Sequence, residues 1–106
     1  MDFPAKDRLE ARARIMKAMA HPSRLYILDE LSKGERCVCE LTKMIGADTS
    51  TVSKHLSVLK KAGIVDSDKR GAQVYYRLKA PCVLNFFDCV EIVLRDNAAD
   101  QLRVLK

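Results

Sequence analysis

"GADTSTVSKHLSVLKKAG", residues 46–63, decides how the rest of the chain is read. It opens on a turn, Gly46-Ala47-Asp48, and runs into a segment whose apolar residues Val52, Leu56 and Leu59 fall at i, i+4 and i+7. That spacing is one face of a helix. Asp48 or Thr49 caps it, because a short side-chain oxygen there accepts free backbone N–H groups of the first turn. Gly63 ends it. The opposite side carries Ser50, Thr51, Ser53, Lys54, Ser57, Lys60 and Lys61. Short polar side chains at a helix start let a nucleic-acid backbone and its base edges come close.

Working outward, residues 38–45 predict a short helix that stops at Gly46. A short helix, a three-residue turn containing Gly and a second helix with a polar outer side make a helix-turn-helix. Further upstream, residues 5–20 predict a first helix. "HPSR" interrupts it, and Pro22 suits the first turn of a second helix, where its missing N–H costs nothing. Leu25, Leu28 and Leu31, flanked by Ile27, form the stripe of that second helix, and Gly34 stops it. Downstream, residues 64–67 and 73–78 predict two strands, joined through Asp68-Lys69-Arg70-Gly71 as a hairpin. A last helix starts near Pro81 and reaches about residue 96. Residues 97–106 either extend it or form a short helix of their own. The expected fold is mainly α with a β-hairpin wing: a winged helix-turn-helix over residues 1–106, as one domain.

The charge pattern points the same way. The chain has 106 residues and a net charge of +5. Between Thr49 and Lys79 stand seven basic residues and two acidic ones, so the whole surplus lies in this block; the remainder has twelve of each. Such a concentration is the electrostatic footprint of a polyanion-binding surface. It coincides with the helix-turn-helix and wing, which were found from periodicity alone. Double-stranded DNA is the partner expected. Thr49, Ser50, Thr51, Ser53, Lys54 and His55 would enter or flank the major groove, Lys60 and Lys61 would meet phosphates, and Lys69, Arg70 and Gln73 would form the wing contact.

Other classes find little support. Residues 1–9 include Asp2, Lys6, Asp7 and Arg8 and show no cleavable-signal pattern. No apolar run approaches the roughly 20 residues that span a bilayer, so no membrane partner is expected and the expected location is cytoplasmic. The chain has no Gly-rich phosphate loop and no Ser-His-Asp set, and His55 belongs to the reading helix. An enzyme is not expected.

Four cysteines in that compartment argue for metal or thiol chemistry rather than structural disulfides. Cys37 and Cys39 are one residue apart. In a regular helix, i and i+2 are about 200° apart, so joint capture of an ion would be expected to unwind the first turn of the third helix. Cys82 and Cys89 are two turns apart on one face of the last helix, with Phe86 and Val93. Packing competes with ligation for Cys89, whereas Cys82 sits at a helix N-terminus, which favours thiolate.

"HPSRLYILDEL", "CVCEL", "STVSKHLSVLKKAGIV" and "RGAQVYYRL", in this order, resemble the ArsR/SmtB family of metal-responsive repressors. The resemblance covers about residues 12–94. It implies a homodimer on a palindromic operator, paired through its first and last helices and released by an inducer. "CVC" resembles the arsenic, antimony, cadmium and lead sensing branch. That implies As(III) or Sb(III) on Cys37 and Cys39, with Cd(II) or Pb(II) as alternatives, and a third thiolate from Cys82 or, second, Cys89. The branch pattern "CVCDLC" has a cysteine where this chain has Thr42, and the last helix has no His for the family's other metal site. A redox- or persulfide-responsive repressor of the same fold stays open, since close thiols also oxidise.

Overall fold

The computed structural model describes residues 3–105; Met1, Asp2 and Lys106 lie outside them. Five helices and three strands follow in the order α1 Lys6–Met19, α2 Pro22–Leu31, β1 Arg36–Cys37, α3 Val38–Ile45, α4 Thr49–Lys61, β2 Val65–Arg70, β3 Gln73–Leu78 and α5 Val83–Leu105.

Each boundary has a local cause. His21 caps α2 by accepting the Ser23 N–H at Nδ1, 3.0 Å away, and Pro22 occupies the first helical position. Gly46 closes α3 at φ 76°, a left-handed backbone that glycine adopts without a Cβ penalty. Asp48 then caps α4 through its Oδ1, which accepts the Thr51 N–H at 2.8 Å. Hydrogen bonds from Thr51 and then Ser50 hold the Asp48 carboxyl below its ordinary 3.8. The turn between α3 and α4 is therefore fixed at both ends.

The core lies beneath the helix-turn-helix. Ile27, Leu28 and Leu31 of α2 meet Leu41 of α3, Val52, Leu56 and Leu59 of α4, and Ile64 and Val65 at the start of the hairpin. All three apolar positions of the α4 stripe are fully buried. Leu25 of the α2 stripe, by contrast, is exposed. α1 adds only Ala18 and Met19, and α5 adds no buried residue, although Val83 and Phe87 pack against the cluster. Among the described residues no helix is long and apolar enough to cross a membrane.

Two expectations are corrected. The first hairpin strand is longer than expected, while β3 spans the expected 73–78: Arg70 pairs with Gln73, leaving a two-residue turn at Gly71-Ala72, so Lys69 and Arg70 lie in β2 rather than in the loop. The wing has a third strand. Arg36 and Cys37 pair antiparallel with Tyr76 and Tyr75, giving the order β1-β3-β2. Two residues are too short to announce themselves by alternation. Of the two alternatives open for the tail, the structure has the first: residues 97–105 continue α5 as one helix, with no break at Asp96.

Candidate nucleic-acid interface and thiol pair

With Val52, Leu56 and Leu59 turned into the core, α4 exposes Thr49, Ser50, Thr51, Ser53 and Lys54. Only Asp48 engages two of them, through the Ser50 hydroxyl at 3.1 Å and the Thr51 N–H. Lys54 makes no ion pair or hydrogen bond among the described residues. At the wing, Lys69 and Gln73 are exposed near the hairpin tip.

Three residues expected at this surface are held elsewhere. His55 turns to the side of α4, where its Nδ1 accepts from Arg24 Nε at 3.0 Å and its ring lies 4.5 Å from that of His21. The same Arg24 donates to the Ala18 carbonyl at 3.2 Å, so one guanidinium ties the end of α1 and the start of α2 to the reading helix. Arg70 pairs with Glu35 at 2.7 Å and Asp68 at 3.1 Å and stacks over Tyr75. Its charge is spent within the wing, which leaves Lys69 as the wing's uncommitted cation. Lys60 donates to the Ser67 hydroxyl at 2.6 Å and fastens α4 to β2. No local signal could have revealed these links, because Arg24 and His55 are 31 positions apart and Glu35 and Arg70 are 35 apart.

The His55 arrangement has a pH consequence. Burial first, then the neighbouring His21 and Arg24, hold His55 below its ordinary 6.5. The unfolded chain takes up this proton more readily, so the contribution to stability is full above about pH 6.5 and is lost as pH falls through the lower native value. The thermal midpoint should drop between pH 7.5 and 5.5, and His55→Gln should flatten that slope. An unchanged slope would remove His55 as its source.

The cysteines divide into two kinds. Cys37 and Cys39 are joined as a disulfide. Cys37 is the N-cap of α3, at φ −79° and ψ 160°: its Sγ lies 3.3 Å from the Glu40 N–H, and Glu40 Oε1 accepts the Cys37 N–H at 3.0 Å. Because Cys37 stands just outside the helix in extended backbone, the two sulfurs meet while α3 stays intact. Cys37 is 4% exposed, while Cys39 faces outward with Sγ 3.4 Å from Gln73 Oε1 of the wing. Cys82 and Cys89 are free and exposed, so Cys89 is not a core residue of this chain. Among the described residues no three His, Cys, Asp or Glu gather as a metal site. Thr42, in the position of the missing thiol, donates its hydroxyl to the Val38 carbonyl at 2.7 Å.

Comparison with known proteins bears on this surface. The family described as bacterial regulatory protein, arsR family, matches residues 21–67. An HTH-type transcriptional regulator of Mycobacterium tuberculosis, Rv0324, is 37% identical over 92 residues, 87% of this chain and 41% of the relative. The cadmium resistance transcriptional regulatory protein CadC of Listeria innocua is 41% identical over 73 residues, 68% of this chain and 61% of the relative. The chain thus spans about four- to six-tenths of the length of these curated relatives. The solution structure of a homodimeric winged helix-turn-helix DNA-binding domain from Mycobacterium bovis superposes with a TM-score of 0.76 at 33% identity, covering 91% of this chain and 89% of that domain.

Proposed function

Since the chain belongs to the ArsR family of bacterial regulatory proteins, we propose that it is a DNA-binding repressor whose hold on an operator is controlled at Cys37 and Cys39. The observation that carries this reading is the outward side of α4. Short polar side chains and Lys54 stand free there, above a fully buried apolar stripe, with Lys69 of the wing alongside. The interface would read bases through α4 and grip phosphate through the lysines. Lys54→Ala should weaken binding to every duplex alike and lower the salt slope by about 1, whereas Ser50→Ala should alter sequence preference instead. Competition between operator variants at two salt concentrations separates these outcomes.

The working unit is a homodimer. The apolar face of α5 and part of α1 border a groove formed by Met16, Met19, Leu25, Phe86, Val90 and Leu94. A second copy would cover it, with α1 and α5 as the pairing helices of a single domain.

Cys37 and Cys39, once reduced, offer two thiolates, the donor type that soft ions select. The inducer is a soft thiophile: As(III) or Sb(III), with Cd(II) or Pb(II) as alternatives. The similarity to CadC supports the cadmium arm. A third thiolate would come from Cys82 or Cys89 of a partner subunit. The pair lies where β1 joins β3 and where Cys39 meets Gln73, so a change at the sulfurs bears on the wing as well as on the capped first turn of α3. The disulfide favours a second reading, in which oxidation or persulfidation of the pair is itself the signal.

Fluorescence anisotropy of labelled operator DNA tests both. Reduced protein released by arsenite or cadmium, but not by zinc, supports the metal reading. Release only by an oxidant or persulfide donor supports the redox reading. A failure of the reduced protein to bind operator at all would overturn the repressor assignment.

A further inference from the structure

An open groove runs between α1 and the end of the reading helix, with a volume of about 560 Å³. Four cations line it, Arg14 and Lys17 from α1, Arg24 from α2 and Lys61 from α4, and no carboxylate does. Its floor is apolar: Ile15, Val58 and three alanines. The linear sequence hides this patch. Arg14, Lys17 and Arg24 belong to the part of the chain whose charges cancel, and only folding brings them beside Lys61.

The four charges are not cancelled in place. Arg24 bonds to two neutral acceptors, His55 Nδ1 and the Ala18 carbonyl. Arg14, Lys17 and Lys61 make no ion pair or hydrogen bond among the described residues. We propose that this groove extends the DNA interface, with Arg14, Lys17, Arg24 and Lys61 holding the sugar–phosphate strand that flanks the bases read by α4.

Two features favour a DNA strand over a small organic anion. Lys54, Val58 and Lys61 stand at i, i+4 and i+7 on α4, so the groove's rim and the exposed reading surface are one continuous face. The cations are also ranged along three helices beside an open trough, rather than converging on an enclosed cavity. Small floor residues leave room for a sugar to approach, and the long basic side chains can lie along the apolar floor with their charges outward.

The inference rests on the DNA-binding reading, and its test keeps the two apart. Affinity for a random-sequence 30-base-pair duplex is measured by anisotropy over a range of salt concentrations, because the phosphate contribution does not depend on sequence. The variants are Arg14→Gln/Lys17→Gln and, with the same loss of charge outside the groove, Arg12→Gln/Arg95→Gln. Matching thermal midpoints establish that both fold. The groove variant should lower the slope of log K against log salt by about 2 per protomer, and the control by well under 1. Equal slopes for the two variants overturn the proposal while leaving DNA binding by α4 in place, and this holds even if inorganic pyrophosphate binds the groove. If the wild-type protein binds no duplex, the DNA reading itself falls, and this one with it.

Discussion

Cys37→Ser and Cys39→Ser should each leave operator affinity nearly unchanged and abolish its response to the inducing ion. The structure separates the two effects because of what serine does at position 37. That residue is the N-cap of α3 and supplies the acceptor for the Glu40 N–H. Serine is among the preferred residues there, and its hydroxyl accepts the same bond. The capping box with Glu40, the start of α3 and the β1 pairing to Tyr75 are all retained. Cys39 is exposed, so its replacement is still milder. What disappears is the thiolate pair. Couplings between an effector and a second ligand typically amount to 5- to 150-fold in affinity. The ratio of operator affinities without and with ion should therefore fall from that range to about 1. Cys82→Ser, in the turn just before α5, and Cys89→Ser, within it, compared in the same assay, identify which exposed thiol contributes. An inducer response surviving in both Cys37→Ser and Cys39→Ser would move the sensing site elsewhere.

The second large effect is expected at Val90→Glu. Val90 lies on α5 in the apolar groove with Met16, Met19, Phe86 and Leu94, and 39% of it is exposed in the single chain. α5 has no buried residue and Val90 is not among those packed against the core, so a carboxylate at this position should leave the fold standing. In a pairing surface the same carboxylate would be desolvated without a partner, which is strongly unfavourable. Sedimentation equilibrium should show monomers at micromolar concentration. Operator affinity should fall about 100-fold or more, because the second half-site is no longer bound at the high effective concentration that linkage supplies. A dimer that persists in Val90→Glu would place the pairing surface outside this groove.

How much of this was readable from the residues depends on the distance over which each feature is written. The helix-turn-helix is local. The Val52, Leu56 and Leu59 stripe, the Gly46 stop and the Asp48 cap all act within a few positions, and the structure places α3 and α4 where these signals set them. The wing was visible in "VYYRL", but its turn was not. Asp68, Lys69 and Arg70 look like loop residues, yet an exposed strand tolerates them, and the pairing of Arg70 with Gln73 sets the two-residue turn. β1 exists only because β3 offers it an edge, so no reading of Arg36 and Cys37 alone could find it. The candidate surface divides in the same way. The exposure of Ser50, Thr51 and Lys54 follows from helical geometry. The commitments of His55, Arg70 and Lys60 depend on partners from other elements.

The core closes on α2, α3, α4 and the hairpin with Ala18 and Met19 of α1, while α5 only packs Val83 and Phe87 against it. With α5 as the proposed pairing helix, recognition and pairing would be separable modules. Changes along the outer face of α5 can redirect which chains associate without altering the DNA sequence that α4 reads. A cell holding several such regulators could thus keep their assemblies insulated, or merge two of them, by drift in this one helix.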